Sequence, residues 1–129
     1  MFESNKAILI LDSEAFIQEL LRIKLGGLAR EVLVADDEKE AKKLLLEREI
    51  ELIILDLMHP RLDAYRFVQW LKNHPELSRV KIIILTFKKK DPETFFLYNV
   101  WIEAYFEKPF LPDLLLNKVK EIIKGSEAG

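Results

Sequence analysis

The residues that this sequence lacks already exclude several kinds of chemistry. No cysteine is present, which rules out disulfide bonds, thiol catalysis and cysteine-based zinc sites. Only two histidines are present, and their spacing does not match a metal site. The formal net charge of -2 gives no broad basic surface, so we expect no nucleic-acid partner. The apolar runs are too short for a membrane span or a signal peptide, which predicts a cytoplasmic protein without a membrane partner.

The composition is that of a single globular domain. The 129 residues are half hydrophobic and one-third charged, which is enough apolar material for one core and enough charge for its surface. No long linker, internal repeat or low-complexity segment divides the chain. We expect one domain over residues 1–125 and a flexible tail over residues 126–129, because the segment that begins at Gly125 is typical of a frayed chain end.

Short apolar runs alternate with segments of helical periodicity along the whole chain. The runs have the length of buried strands, and they cover residues 7–11, 32–35, 52–55, 81–85 and 104–106. Neighbouring parallel strands need a crossover of helix length between them. The pattern therefore predicts an α/β fold, with a doubly wound, five-stranded parallel sheet and helices on both of its faces.

Apolar side chains at helical spacing predict which side of each helix is buried. The predicted inner stripes are Phe16, Leu20 and Ile23 in the first helix, Ala41, Leu44 and Leu45 in the second, Ala64, Phe67, Val68 and Leu71 in the third, and Leu115, Val119 and Ile122 in the last. Asp37 followed by Glu40 predicts a capping box at the start of the second helix. Asp91 and Pro92 predict the start of the fourth helix.

Polar residues follow the predicted strands at the points where the apolar runs end. Asp12 and Asp56 come directly after the first and third runs, and Thr86 comes after the fourth. Lys108, in the segment EKPF, brings a positive charge after the fifth. Because ligands gather beyond the carboxyl ends of strands in an open parallel sheet, we expect these side chains to line a crevice. Two carboxylates and a backbone carbonyl there suit Mg²⁺, and the hydroxyl and ammonium suit a phosphoryl group accepted by Asp56.

The ordered set of motifs resembles the receiver domain of response regulators in two-component signalling. The set comprises ILILDSE, LIILDLMHPRLDAY, the threonine after the fourth strand and YFEKPF, and it spans essentially the whole chain. The resemblance implies the flavodoxin-like fold of that family, and a phosphoryl group that Asp56 accepts from a histidine kinase or a phosphotransfer protein. It also implies a signalling module rather than an enzyme, with a protein-protein interface as its output.

The resemblance also implies a set of metal ligands, from which this sequence departs at one position. Asp12, Asp56 and the backbone carbonyl of Met58 match the positions that bind Mg²⁺ in the family. The family usually has two adjacent acidic residues after the first strand, whereas the second position here is Ser13. Because affinity at such sites follows the charge of the ligands, we expect this loss to weaken magnesium binding.

Other residues match the positions through which the family responds to phosphate. Thr86 and Lys108 correspond to the hydroxyl and the lysine that contact the phosphoryl group, and Tyr105 corresponds to the aromatic switch residue. Pro109 stands where the family has a cis peptide bond. Phe87 replaces the small residue that normally follows the threonine, and we expect its ring either to narrow access to the phosphate or to pack under the next helix.

These departures leave two interpretations of the function open. The acceptor and both phosphate-contacting residues are retained, which favours a receiver that is competent for phosphorylation. Ser13, Phe87 and Trp101, the last at a position where glycine is common, favour a pseudo-receiver, a binding module whose output does not depend on phosphate. A flavodoxin or an aspartate-based phosphatase on a similar fold is disfavoured, because the segment DSEAF supplies neither a glycine-rich phosphate loop nor a second aspartate at the required spacing.

The segment from residue 95 to residue 105 is rich in aromatic side chains. It contains Phe95, Phe96, Tyr98, Trp101 and Tyr105, which is more than one helical stripe can bury. We therefore expect part of this set on the surface, on the face between the predicted fourth and fifth helices. Since receiver domains commonly use that face for output, the resemblance implies that a downstream protein target or a second copy of the chain binds there.

Overall fold

Strands and helices alternate along the chain, as the sequence pattern predicts. The computed structural model describes residues 4–92 and 101–128. Its elements are β1 (Ser4–Leu11), α1 (Ala15–Leu25), β2 (Ala29–Val34), α2 (Glu38–Glu47), β3 (Ile50–Leu55), α3 (Ala64–Asn73), β4 (Lys81–Thr86), β5 (Ala104–Glu107) and α4 (Pro112–Ala128). The helix predicted to begin at Asp91 and Pro92 falls mainly on residues 93–100, which lie outside the described residues. The interface candidates Phe95, Phe96 and Tyr98 lie there too.

The five strands form one parallel sheet in the order β2-β1-β3-β4-β5. The chain moves outward from β1 to β2 and then returns to the other side of β1 to begin β3. The switch point of the sheet, where ligands gather in folds of this kind, therefore lies between the carboxyl ends of β1 and β3. This confirms the predicted doubly wound fold and places Asp12 and Asp56 beside the switch point.

Helices cover the sheet on both faces. On one face α2 and α3 pack over the sheet, and the buried residues of α3 are the four predicted ones, Ala64, Phe67, Val68 and Leu71. On the other face α1 and α4 pack against the alternate side chains of the same strands. All six side chains of β3 are buried, because this central strand has a strand on each side and helices above and below. Among the helices described, none is long and apolar enough to cross a membrane.

The prediction of the buried face of α1 is wrong, because the buried stripe starts one residue later than predicted. The structure buries Ile17, Leu21 and Leu25, whereas Phe16 and Ile23 are 75% and 70% exposed. Two overlapping apolar stripes run along this helix, and a shift of one residue rotates the helix by about 100° about its axis. Periodicity alone does not choose between the two stripes. The packing of α1 against the sheet and α4 makes the choice.

The bounds of several elements also differ from the prediction, since β1 and β3 begin three and two residues earlier than their apolar runs. β2 begins at Ala29 rather than at residue 32, and most of its residues are half-buried because it is an edge strand. α4 continues through Gly125 to Ala128, so the helix extends beyond the predicted domain boundary. A glycine inside a helix costs about 1 kcal/mol relative to alanine, which the contacts of the preceding helical turns can offset. The flexibility of residues 126–129 stays a prediction.

Candidate functional site

The register of the sheet brings the predicted site residues to one edge. Leu11 pairs with Leu55, and the N–H of Asp56 donates a hydrogen bond to the carbonyl of Leu11 at 2.9 Å. Asp12 and Asp56 therefore leave the sheet side by side. Lys108 follows β5 directly, and its N–H donates to the carbonyl of Thr86 at 2.7 Å. Four side chains that are widely separated in the sequence thus meet at the switch point.

The ammonium of Lys108 lies at the centre of this site. Its Nζ atom is 2.7 Å from Asp12 Oδ2, 3.2 Å from Asp56 Oδ2 and 3.2 Å from Glu14 Oε2. The Lys108 side chain is only 1% exposed, so its charge is balanced by these carboxylates rather than by water. A buried charge is tolerated when it is paired in this way.

The carboxylate of Asp56 has partners on both oxygens. Oδ1 accepts a hydrogen bond from the Thr86 hydroxyl at 2.6 Å and another from the N–H of Met58 at 2.9 Å. Oδ2 faces the Lys108 ammonium. The side chain is 8% exposed, which leaves only a narrow approach from solvent. These contacts fix the orientation of the Asp56 carboxylate, which is the group that would attack phosphorus.

The two charged partners of Asp56 have shifted pKa values. Burial raises the pKa of Asp12, and the charge of Asp56 adds to this, while Lys108 and the N–H of Glu14 act in the opposite direction. For Lys108, burial lowers the pKa, but the contacts with Asp12 and Asp56 outweigh burial and the pKa is raised overall. Lys108 therefore stays positively charged throughout the physiological pH range, and the site keeps a cation beside two carboxylates.

The oxygen atoms of the site fit a small, hard cation. Both oxygens of Asp12 are held in the site, Oδ1 by the N–H of Glu14 at 2.9 Å and Oδ2 by the Lys108 ammonium at 2.7 Å. The shared contact with Lys108 also shows that a single cation reaches both Asp12 and Asp56. Within residues 4–92 and 101–128, no group of three acidic or histidine side chains is arranged around a metal position. A bound Mg²⁺ would therefore rest on two carboxylates, a backbone carbonyl and water, which is a ligand set that Mg²⁺ accepts.

The remaining predicted residues lie around this centre. The Met58 side chain is exposed, and its N–H bond to Asp56 anchors the loop that carries the Met58 carbonyl. Ser13 is exposed at the start of the segment that leads into α1. The hydroxyl of Tyr105 donates to the carbonyl of Lys88 at 2.8 Å, which ties β5 to the segment after β4. Trp101 is half-buried and packs against the core on the α2 and α3 side of the sheet. The peptide bond between Lys108 and Pro109 is cis.

Three further side chains contribute to the site. Glu14 places a third carboxylate against Lys108, and its position two residues after Asp12 is consistent with this contact. Phe87 is exposed, and its ring centroid is 5.3 Å from the Lys108 Nζ atom. His59 is buried beside the site, and its Nδ1 atom accepts a hydrogen bond from the N–H of Arg61 at 3.1 Å. The sequence marks Phe87 as a bulky replacement but does not give its contact with Lys108, and it carries no signal for His59, because a ring contact and the burial of a loop residue depend on tertiary packing.

The loop after Asp56 is braced against the rest of this edge. The N–H of His59 donates to the carbonyl of Asp56 at 3.2 Å, and Arg61 Nε donates to the carbonyl of Asp36 at 2.7 Å. The carbonyl of Arg61 accepts from the N–H of Glu38 at 3.3 Å. These bonds connect the loop after β3 with the loop after β2, and they hold the segment that carries Asp56 and Met58 in one conformation.

His59 is expected to make the fold less stable in mildly acidic solution. Burial lowers its pKa below the ordinary 6.5 and the charge of Arg61 lowers it further, while Asp56, Asp12 and Asp36 oppose this. As the pH falls below 6.5, the unfolded chain therefore binds a proton at this position before the folded chain does, and the free energy of unfolding falls.

The His59→Leu variant measures this effect, because leucine does not titrate. Urea unfolding at pH values on both sides of 6.5 should show that the parent loses more stability on acidification than the variant. Equal losses in both proteins would contradict the assignment of a lowered pKa to buried His59.

Comparison with known protein families gives one match that covers most of the chain. The family model described as the response regulator receiver domain matches residues 8–120. This range includes Asp12, Asp56, Thr86 and Lys108.

Several curated relatives are transcriptional regulators of about twice this length. The chain is 28% identical over 127 residues to the transcriptional regulatory protein GltR of Pseudomonas aeruginosa, covering 98% of this chain and 52% of the relative. It is 30% identical over 125 residues to the phosphate regulon transcriptional regulatory protein PhoB of the same organism, covering 97% and 55%. It is 32% identical over 123 residues to the alkaline phosphatase synthesis transcriptional regulatory protein PhoP of Bacillus subtilis, covering 95% and 50%. The chain thus spans about half the length of these relatives.

Solved structures agree with this match over nearly their full length. A putative response regulator from Chloroflexus aurantiacus superimposes with a TM-score of 0.79 at 26% identity, covering 93% of this chain and 98% of that one. A CheY-like receiver domain protein from Methanospirillum hungatei also gives a TM-score of 0.79 at 26% identity, covering 96% and 98%.

Proposed function

The chain belongs to the response regulator receiver domain family, and on that premise we propose that Asp56 accepts a phosphoryl group from a histidine kinase or a phosphotransfer protein. Receiver domains are signalling modules rather than enzymes in the usual sense. The observation that carries the proposal is the environment of Asp56. Its carboxylate is held between the Thr86 hydroxyl at 2.6 Å and the Lys108 ammonium at 3.2 Å, at the switch point of the sheet.

The transfer requires one bond to form and one to break. An oxygen of Asp56 attacks the phosphorus of the donor's phosphohistidine, and the phosphorus–nitrogen bond breaks with its electron pair returning to the imidazole ring. The hydroxyl of Thr86 and the ammonium of Lys108 already contact the two oxygens of Asp56, so a small displacement brings both onto phosphoryl oxygens. Positioning and charge neutralisation of this kind provide most of the catalysis of phosphoryl transfer. Thr86 and Lys108 would act in the same way when the phosphodonor is a small molecule, so the domain itself promotes its phosphorylation.

A magnesium ion is proposed to complete the site. Receiver domains generally bind Mg²⁺ at the acidic phosphorylation site. In this chain Asp12, Asp56 and the carbonyl of Met58 would hold the ion, which supplies positive charge for the phosphoryl oxygens. The Lys108 ammonium supports this assignment, because it lies against both Asp12 Oδ2 and Asp56 Oδ2 and so shows that one cation can contact the two carboxylates together. Ser13, which is exposed, replaces the second acidic residue that is usual in the family. We therefore propose that the ion is bound weakly.

The Ser13→Asp variant is expected to bind Mg²⁺ more tightly than the parent, by about tenfold, because one carboxylate is added to a ligand set of low charge. Isothermal titration of the protein with Mg²⁺ measures this without any phosphodonor. Ser13→Asn is the matched control, since asparagine has the size of aspartate without its charge. Equal affinities of the aspartate and asparagine variants would show that the charge at position 13 does not reach the ion.

The surface around Asp56 supports a protein as the phosphodonor. Seven large apolar side chains are exposed in the described residues, and five of them lie in segments that follow the carboxyl end of a strand. We call these five the apolar rim: Phe16, Met58, Phe87, Leu111 and Leu114. Apolar side chains exposed at the same edge of the sheet as a charged centre are typical of a protein interface. We propose that the histidine-bearing surface of the donor docks on the apolar rim.

The output of the domain is proposed to be a protein contact. The predicted surface for a downstream target or a homodimer is the aromatic segment of residues 95–105, whose described members are Trp101 and Tyr105. The hydroxyl of Tyr105 bonds to Lys88, two residues after Thr86 at the end of β4, so a change at Asp56 has a short route to this face. The transcriptional roles of the longer relatives belong to those proteins, and the cytoplasmic location of this chain stays a prediction.

A pseudo-receiver is the second candidate function. Its supporting observations are the exposed Ser13 in place of an acid and the ring of Phe87 beside Lys108, both of which oppose rapid phosphorylation. Intact-mass spectrometry after incubation with acetyl phosphate and Mg²⁺ separates the two functions. A phosphoryl adduct on the parent supports the competent receiver, and its absence from a folded protein supports the pseudo-receiver.

A further inference from the structure

An aromatic ring is exposed to solvent beside the buried ammonium of the site. Phe87 is 57% exposed, and it belongs to neither of the two buried clusters that form the core of the described residues. Large apolar side chains are usually buried, so the position of this ring calls for an explanation. Its centroid lies 5.3 Å from Lys108 Nζ, which is within the range of a cation–π contact.

The ring stands at the approach to the proposed acceptor. Phe87 follows Thr86 directly, and the Thr86 hydroxyl bonds to Asp56 Oδ1 at 2.6 Å. The Lys108 ammonium under the ring bonds to Asp56 Oδ2 at 3.2 Å. A molecule that reaches either oxygen of Asp56 therefore passes close to the ring. The low exposure of the Lys108 and Asp56 side chains, 1% and 8%, agrees with a covered site.

We propose that Phe87 shields the acceptor, slowing both phosphorylation by small phosphodonors and hydrolysis of the aspartyl phosphate. The inference rests on the proposed phosphorylation of Asp56. In hydrolysis, a water oxygen attacks phosphorus and the bond to Asp56 breaks. Asp56 leaves as a carboxylate, and the proton of the attacking water goes to the solvent through the inorganic phosphate. A ring that lies over Lys108 obstructs the side from which this water, or a free acyl phosphate, arrives.

The shield distinguishes a protein donor from a small one. A cation–π contact at a partly exposed site is weak, so the ring can turn away when another apolar surface replaces the contact. A docking protein brings such a surface against the apolar rim, of which Phe87 is a member. Acetyl phosphate and water bring none. Phe87 thus determines specificity for the phosphodonor without contacting the reacting atoms.

The test compares Phe87→Ala with the parent, using acetyl phosphate and Mg²⁺ as the probe. We expect phosphorylation, and hydrolysis of the adduct after acetyl phosphate is removed, to become about tenfold faster in the variant, which corresponds to about 1.4 kcal/mol of barrier. Phe87→Leu should give intermediate rates because it keeps part of the bulk. Leu46→Ala is the matched control: Leu46 is also 57% exposed but lies on α2. Rates in Phe87→Ala that do not exceed those of the parent would overturn the shield.

A second measurement does not depend on phosphorylation. The amine-reactive ester N-hydroxysuccinimidyl acetate is allowed to label each protein, and peptide mass spectrometry compares labelling of Lys108 with that of the more exposed Lys118. The shield predicts faster labelling of Lys108 relative to Lys118 in Phe87→Ala. If no variant is phosphorylated but Lys108 becomes accessible, the shield holds and the proposed function fails. If all variants are phosphorylated at the parent's rate and Lys108 labelling is unchanged, the function holds and the shield fails.

Discussion

The Asp56→Asn variant is expected to keep its unmodified mass after incubation with acetyl phosphate and Mg²⁺, whereas the parent gains a single phosphoryl group. Asparagine matches aspartate in shape but has a neutral amide, which is a poor nucleophile. The amide also loses the ionic attraction to Lys108, which now lies 3.2 Å from Asp56 Oδ2. We therefore expect no phosphoryl adduct at all on the variant, rather than a smaller amount. Intact-mass spectrometry measures the adduct directly.

Two controls make the result specific to Asp56. Asp113→Asn changes an exposed aspartate in the first turn of α4, and this variant should be phosphorylated like the parent. Peptide mapping of the parent should place the phosphoryl group on the peptide that contains Asp56. An adduct that persists in Asp56→Asn would show that another carboxylate, such as the neighbouring Asp12, is the acceptor.

The Phe67→Ala variant should lose about 3–5 kcal/mol of its free energy of unfolding, which is a large share of the 5–15 kcal/mol typical of a domain. Phe67 is completely buried in the cluster beneath α2 and α3, and its ring stacks on Trp70 with a centroid distance of 6.1 Å. Truncation removes these contacts and leaves a cavity that the close-packed core cannot fill. Equilibrium unfolding in urea measures the loss.

Phe16→Ala is the matched comparison, because it removes the same side chain from an exposed position. Phe16 is 75% exposed on α1, so its truncation should change the free energy of unfolding by no more than about 0.5 kcal/mol. Similar losses in both variants would mean that α1 buries the stripe favoured by periodicity, with Phe16 inside. The pair of measurements therefore tests the rotation of α1 as well as the importance of the core.

Local patterns were sufficient for much of the fold. Asp37 caps α2 as predicted, with its Oδ1 atom accepting from the N–H of Glu40 at 2.8 Å, because capping depends on residues only three apart. The stripe of α3 was also predicted correctly, since this helix has only one strong apolar face. The stripe of α1 was not, because two apolar faces offset by one residue compete in that helix.

The sequence by itself determined the order of the elements, the doubly wound sheet and the presence of Asp12, Asp56, Thr86 and Lys108 at the ends of apolar runs. These features follow from chain-local periodicity and from the rule that parallel strands end at a common edge. Only the tertiary structure decided that Lys108 would sit between three carboxylates, and that the ring of Phe87 would stand over it. The reason is physical: these contacts join segments that are far apart in the chain, and their geometry is set by strand register and helix packing rather than by any local pattern of residues.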